Sequence, residues 1–336
     1  MNLTSFKTAL RILGHFWLEE VKAEGAEVIS ALPELAQTLP GLDMSILDEL
    51  AVEYQRLFGF NVPPYESIFV DPSVMLMAPA TERVQALYRQ GRWNPPPNMR
   101  AGAPDHVGLE LIALADWTET GLLDQARQLH TRHLALWLPP LAFTLRRLRP
   151  HPFYLVLADL TLNLVLSTLP DMPVSEAHEL LAPPPFEHDE KVTVPQQSSS
   201  FRSAPGLDFS IFSQDESQTI GLRDLVRQLL TPRMVGIFLT REDIARVSQA
   251  LDLPGVMGDR SRMLDSLFRL AGQYDLLPAL FERLDRLVEE TDSAYQTLAD
   301  EYETWRPHAQ AWCERLTATR AAFEVLKVTL EINRHA

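Results

Sequence analysis

Apolar residues recur at intervals of three and four along most of the chain, the spacing that places side chains on one face of an α-helix. Between residues 4 and 21 they are Phe6, Ala9, Leu10, Leu13, Phe16 and Trp17, and between residues 43 and 58 they are Ile46, Leu47, Leu50, Tyr54, Leu57 and Phe58. Shorter helices are predicted over 30–39 and 80–90. Three more are predicted over 122–137, 139–148 and 153–169, separated by Pro139-Pro140 and by Pro150-His151-Pro152, because proline starts a helix more readily than it continues one.

The C-terminal third has the same helical spacing. Helices are predicted over 222–230, 241–251, 261–274 and 277–290, followed by a long helical pattern over 293–332 that Pro307 kinks or breaks. Thr240 and Asp243 have the spacing of a capping box. The apolar run 234–239 is compatible with a lone strand or a buried loop. The pattern as a whole predicts an all-α protein.

Between these two regions the sequence changes character. Residues 182–206 contain several prolines, a charged cluster over 187–191 and a run of glutamine and serine over 196–200. Such a composition buries too little apolar surface to compensate for ordering the chain. We therefore expect a helical domain over 1–181, a flexible linker over 182–206, and a second, smaller helical domain over 207–336.

A helix start near residue 103 carries the most suggestive polar residues. Pro104 fits the first turn of a helix, and Asp105 suits the positive end of its dipole. His106 and Glu110 are four apart and share one face, with Trp117 roughly beneath them, which predicts a polar pair at the rim of a buried face. A purely structural interpretation stays open, in which Asp105 caps this helix and His106 bonds a neighbouring loop.

Composition removes several classes of function. The 336 residues include one cysteine and carry a net charge of −15 without a basic run, which argues against a disulfide framework, a cysteine-rich metal site and a nucleic-acid partner. No glycine loop suited to a nucleotide phosphate is present, and neither His106 with Glu110 nor His130 with His133 has further metal ligands nearby in sequence. We expect no cofactor and no metal. Without a secretory signal or a membrane-spanning stretch, a cytoplasmic protein is expected.

Several segments occur in an order that resembles the TorD/DmsD family of cytoplasmic chaperones. The resemblance covers roughly residues 1–180. It rests on Tyr54-Gln-Arg-Leu-Phe58, Pro64-Tyr-Glu-Ser-Ile-Phe69, the stretch from Ala103 to Leu111, Arg132-His-Leu-Ala-Leu-Trp-Leu-Pro139 and the stretch from Phe153 to Thr161. The resemblance implies an all-helical chaperone, without catalytic activity, for the catalytic subunit of a molybdopterin oxidoreductase. Such a chaperone binds the client's twin-arginine signal peptide and keeps the apoprotein open until its cofactor is inserted.

By position, the family's functional motif falls on six residues, and Trp117 completes the predicted client-binding surface. These six are Tyr65, Glu66, Ser67, Asp105, His106 and Glu110. Carboxylates at these positions could bind an arginine pair bidentately beside apolar surface. Tyr65 and Trp117 are also typical of core residues, and we interpret His133 and Trp137 as packing and hydrogen-bonding residues.

Other functions remain compatible with the sequence. One is a non-catalytic helical scaffold that assembles an electron-transfer complex without binding a signal peptide, and another is a metal-dependent hydrolase built on Asp105, His106 and Glu110. The long final helix could pack on its own domain or on another protomer, which leaves a homodimer open. The segment Asp259-Arg260-Ser261-Arg262 precedes a helix and could bind an anion or a client carboxylate, or could simply be a solvated helix start.

Overall fold

The computed structural model describes residues 3–39, 41, 43–97, 99, 101–182 and 222–335. Over these residues the chain is all-α, with one isolated β-bridge and no strand. The helices are α1 (Leu3–Leu18), α2 (Ala26–Ser30), α3 (Pro33–Ala36), α4 (Met44–Tyr54), α5 (Glu66–Val70), α6 (Pro79–Gln90), α7 (Val107–Thr120), α8 (Leu123–Gln128), α9 (Ala135–Arg147), α10 (Pro152–Leu166), α11 (Val174–Leu181), α12 (Leu222–Leu229), α13 (Pro232–Val235), α14 (Arg241–Ala250), α15 (Arg260–Gln273), α16 (Leu277–Glu301) and α17 (Arg306–His335). Turns of π-helix follow α4 over Gln55–Asn61 and precede α9 over Leu129–Leu134.

Helix α7 lies at the centre of the N-terminal part, against α1 on one side and the 129–134 turn on another. Two glycines allow the close approach of α1 and α7. A Cβ on Gly14 would lie 2.8 Å from the carbonyl oxygen of Gly108, and a Cβ on Gly108 would meet the carbonyl of Gly14 still more closely. Because neighbours cover every face of its first half, all residues of α7 from Val107 to Ala115 are buried, including Glu110. The expected rim position of the polar pair is therefore wrong.

Helix α9 runs through Pro139 and Pro140, which were expected to separate two helices. A proline inside a helix lacks the N–H that would bond the carbonyl four residues earlier. Here those two carbonyls have other donors: Trp305 Nε1 donates to Ala135 O and Trp312 Nε1 donates to Leu136 O, both at 2.8 Å. Side chains from α17 and the turn before it thus replace the missing backbone donors. The expected break at 150–152, by contrast, is present.

Two buried arginines connect the C-terminal helices to the N-terminal part. Arg233 donates to Val70 O at 2.9 Å and to Leu181 O at 3.1 Å, and Arg315 donates to Leu181 O at 2.8 Å and to Arg233 O at 2.7 Å. One hydrophobic core extends across both parts. Apart from Ala182, the expected linker lies outside the described residues, as do 207–221 of the expected second domain, and the division into two domains stays a prediction.

Other expectations for the C-terminal part have clear outcomes. Thr240 and Asp243 form the predicted capping box, with both reciprocal hydrogen bonds present. The run 234–239 ends α13 and continues as a buried loop, not a strand. Pro307 marks a break, since α16 ends at Glu301 and α17 begins at Arg306. Across the described residues, the helices are all too short or too polar to traverse a lipid bilayer.

Candidate functional site

The two predicted motif segments meet in an antiparallel bridge between Tyr65 and His106. Glu66 N donates to Asp105 O at 2.9 Å, and Val107 N donates to Pro64 O at 3.1 Å. The bridge places the first turn of α5 against the first turn of α7. The structure thereby brings together six of the predicted site residues, which are Tyr65, Glu66, Ser67, Asp105, His106 and Glu110.

Asp105 and His106 cap two different helices, in roles opposite to those expected. His106 is the N-cap of α7, where its Nδ1 accepts from Gly108 N at 3.1 Å. Asp105 caps α5, because its Oδ2 accepts from Ser67 N at 2.8 Å. The structural interpretation that Asp105 caps its own helix is therefore wrong. One dipeptide fixes the starts of both α5 and α7.

Glu66 and Glu110 are bound by one residue from the π-helical turn before α9 and one residue from α9 itself. His133 Nδ1 lies 2.7 Å from Glu66 Oε2, and Trp137 Nε1 donates to Glu110 Oε2 at 3.2 Å. The sequence analysis placed these two residues outside the site, as packing and hydrogen-bonding residues. His133 and Trp137 are four residues apart, and each has a polar ring nitrogen. That spacing was the one sequence signal that the two side chains face the same site.

We call Glu66, Asp105 and Glu110 the acid cluster. It is buried, and several of its oxygens lack partners: Asp105 Oδ1, Glu110 Oε1 and the adjacent Ser67 Oγ accept and donate no hydrogen bond among the described residues. Burial, and after it the charges of Glu66 and Asp105, raise the pKa of Glu110 well above its ordinary value. The uncharged form of Glu110 is thereby favoured. Burial also lowers the pKa of His106 to about 3, so its imidazole is neutral.

Burial separates the acid cluster from a ligand at the surface. Among the seven predicted site residues only Tyr65 is partly exposed. The Tyr65 hydroxyl accepts from Gly102 N at 3.0 Å, and its ring packs edge-on against His106. Trp117 is buried and donates to Gly91 O at 3.3 Å, seven residues after Glu110 on the same helix. In this conformation Asp105 and Glu110 cannot receive a guanidinium from solvent.

Two cavities flank the acid cluster. One of about 250 Å³ has Glu66 and His133 in its wall together with Arg83 and Arg132. The other, of about 530 Å³, lies beyond Tyr65 and is lined mainly by apolar residues, among them Met77, Tyr88, Trp93, Met99 and Leu109.

An exposed apolar loop borders the larger cavity. Met75 and Met77 are each 64% exposed and Leu76 is 40% exposed, and Met77 has a φ of 59°. The sequence analysis missed this loop, although five consecutive apolar residues between Pro72 and Pro79 were a visible signal. Flexible methionines at a surface are typical of sites that adapt to apolar ligands.

No group of three or more His, Cys, Asp or Glu side chains in the described part of the chain is arranged to hold a metal ion. The acid cluster offers carboxyl oxygens, but one of its members favours the neutral form and another bonds a backbone N–H. The acid cluster can therefore hold the starts of α5 and α7 together. Asp105 Oδ1 and Glu110 Oε1 can in addition accept hydrogen bonds from further donors.

Residues 22–142 match the model of a protein family described as nitrate reductase delta subunit. The matched segment contains the acid cluster, the residues named above for the two cavities that flank it, and His133 and Trp137, which contact the two glutamates. The match confirms, over these residues, the resemblance to chaperones of redox-enzyme maturation. A search of curated protein sequences gave no significant match.

Proposed function

We propose, from the similarity of residues 22–142 to the nitrate reductase delta subunit family, that this chain is the maturation chaperone of one molybdopterin oxidoreductase. The match supports a role in the maturation of a nitrate reductase-type redox enzyme. The finer proposal is that the chain binds the catalytic subunit's twin-arginine leader and apo form, in the cytoplasm, before the cofactor is inserted and the client exported. The chain itself catalyses no reaction in this proposal.

The observation that carries the leader proposal is the position of an exposed methionine loop beside an apolar cavity and a buried acid cluster. An apolar leader segment would bury the side chains of Met75 and Met77 and enter the cavity lined by Trp93 and Leu109. The first contact needs no rearrangement of the fold, because Met75 and Met77 are already exposed and the cavity beside them is already present.

Binding of the leader's arginines to the acid cluster requires the α5 start to move away from α7. The junction is held by two backbone hydrogen bonds and by the bond from Ser67 N to Asp105 Oδ2. Asp105 Oδ1 and Glu110 Oε1 have no partner when the junction is closed, so a guanidinium would supply donors that the fold does not. We propose that the apolar contact forms first and that the arginines then replace the Ser67 contact.

Titration of the full chain with a fluorescent twin-arginine leader peptide tests this proposal. We expect saturable binding that Met77→Ser weakens about tenfold, since most of one methionine's burial free energy is lost. Met44→Ser is the matched control, because Met44 is 70% exposed at the start of α4. A leader in which both arginines are replaced by lysine should bind more weakly, because lysine lacks the bidentate geometry.

Two results would contradict the proposal. Absence of saturable leader binding to the folded chain would remove leader recognition and leave the scaffold function in its place. Equal losses for Met77→Ser and Met44→Ser would show that the leader binds elsewhere. Asp105→Asn removes a carboxylate proposed to bind the leader's arginines and leaves the apolar contacts in place. Its effect on leader affinity therefore measures the arginine contribution, provided that circular dichroism shows an unchanged helix content.

A further inference from the structure

A further cavity lies away from the acid cluster, where the N-terminal part meets α12, α14 and α15. Its volume is about 990 Å³. A second cavity of about 410 Å³ shares Phe60, Asn61 and Arg241 with it, so the two form one continuous depression. We call this depression the arginine groove. None of the site residues expected from the leader proposal lines it.

The groove has the opposite charge to the rest of the protein. Five arginines and two aspartates line the larger cavity, in a chain whose net charge is −15. The two aspartates are already partnered, Asp259 with Arg262 at 3.4 Å and Asp265 with Arg269 at 2.7 Å. Glu242, in the wall of the smaller cavity, is paired with Arg56, and Arg241 and Arg260 leave positive charge in excess. An acidic ligand repelled by the remaining surface is attracted here.

Arg260 is the least solvated of these arginines. Its guanidinium carbon lies 3.8 Å from the centre of the Phe238 ring, and Nη2 donates to Leu230 O at 3.2 Å. Its Nε is buried without a hydrogen-bond partner among the described residues. Burial lowers the pKa of Arg260 to about 9. The charge of Arg260 is thus incompletely compensated within the fold, and a carboxylate nearby would stabilise it.

The groove also exposes apolar surface. Phe60 is 62% exposed where the two cavities join, and Met257 is 94% exposed at the wall of the smaller one. Val74, a β-branched residue with a φ of 53°, lines the larger cavity. A small inorganic anion would leave these side chains in water. An extended polyanion such as a nucleic acid would be repelled by the net charge of −15 that the chain carries.

We propose that the arginine groove binds an acidic peptide segment of a partner protein, in which carboxylates are interspersed with large apolar side chains. Its carboxylates contact Arg241, Arg260 and Arg262, and its apolar side chains cover Phe60 and Met257. This second surface is independent of the leader proposal, because a leader is basic and its proposed apolar contacts, Met75, Met77, Trp93 and Leu109, do not line the arginine groove.

Fluorescence anisotropy of the full chain with a short labelled peptide tests the proposal. The peptide contains Glu and Asp interspersed with Phe and Leu, and a matched peptide replaces the acids by Gln and Asn. We expect saturable binding of the acidic peptide alone. The double variant R241Q/R262Q should weaken it about tenfold, since two exposed ionic contacts are lost. The matched control R283Q/R286Q removes the same charge from exposed positions of α16, outside the groove.

Several outcomes would overturn this inference. They are the absence of acidic-peptide binding, equal weakening by R241Q/R262Q and R283Q/R286Q, and equal binding of the neutral peptide. A dimer that dissociates only in R241Q/R262Q would show that a second copy occupies the groove. Tighter binding of a labelled oligonucleotide, lost in the same variant, would assign the groove to nucleic acid. Leader binding that persists in R241Q/R262Q would support two independent surfaces.

Discussion

At the residue scale, Asp105 and His106 show what a local sequence can and cannot predict. A helix start near residue 103 was predicted from Pro104 and the following apolar spacing, but α7 begins at Val107, so Pro104 precedes the helix instead of lying in its first turn. The capping partner of Asp105, however, is Ser67 N, 38 residues earlier in the chain. The partner of Glu66 is His133, just before α9, and the partner of Glu110 is Trp137, on α9, so both are also remote in sequence. Local spacing identified the candidate residues but not their contacts.

Glu110→Gln tests whether this carboxyl is uncharged in the folded protein. The folded-state pKa of Glu110 is raised, so above the ordinary carboxyl pKa the unfolded chain releases a proton that the folded chain retains. This linkage destabilises the wild type as pH rises. Glutamine has no proton to release. The variant's free energy of unfolding, relative to the wild type, should therefore increase by up to about 1.4 kcal/mol per pH unit above about pH 4.3.

Urea denaturation of both proteins between pH 5 and pH 8 measures that difference. Glu282→Gln, at an exposed position of α16, is the control and should show a nearly constant difference from the wild type. A constant difference for Glu110→Gln as well would mean that Glu110 is ionised in the folded protein. In that case the acid cluster would offer a leader three carboxylates, and no proton would need to leave it first.

At the scale of elements, α9 shows why proline was misleading. The rule that proline ends a helix assumes that the freed carbonyl finds no other donor. In α9 the carbonyls of Ala135 and Leu136 are bonded by Trp305 and Trp312, which come from far along the chain. A residue-by-residue analysis cannot anticipate such donors. Elements whose boundaries depend on local signals, such as the start of α10 at Pro152 and the capping box of α14, were predicted correctly.

A double-mutant cycle tests this account of α9. Trp312→Phe removes the donor to Leu136 O and should cost about 1 to 3 kcal/mol, because a buried carbonyl is left unpaired. Pro140→Ala restores a backbone N–H four residues after Leu136. In that background Trp312→Phe should cost measurably less. Unfolding free energies of the four proteins give the coupling, and strictly additive effects would show that Pro140 and Trp312 do not share this carbonyl.

At the scale of the molecule, the sequence predicts two domains on either side of residues 182–206, whereas in the structure the two parts share one hydrophobic core. The composition of 182–206 led to the prediction of two domains, since a low-complexity stretch commonly separates cores. Composition carries no information about whether the segments on either side contact each other. No sequence pattern singled out Arg233 or Arg315, yet both are buried between the two parts. Arg233 donates to Val70 O, and Arg315 donates to Leu181 O and to Arg233 O. The candidate site lies on one side of this contact and the arginine groove at its edge.

We expect the intact chain to unfold in one transition because the two parts share a core. Circular dichroism and tryptophan fluorescence should then give coincident urea curves, as the tryptophans are distributed over both parts. Arg315→Met removes the donor to Leu181 O and Arg233 O while keeping most of the side chain's volume. It should lower stability by about 2 to 4 kcal/mol and separate the two curves. Arg286→Met, at an exposed position of α16, is its control and should change neither.

Two separate transitions in the wild type would instead mean that the parts are stable independently, as the composition of the linker alone suggests. The leader proposal would survive that result, since its groups all lie in the N-terminal part, at or before residue 110. The arginine groove would not survive unchanged, because Phe60 and Arg241 come from different parts and lie together only while the contact is intact. Acidic-peptide binding should therefore fall with the first transition, and leader binding only when the N-terminal part unfolds.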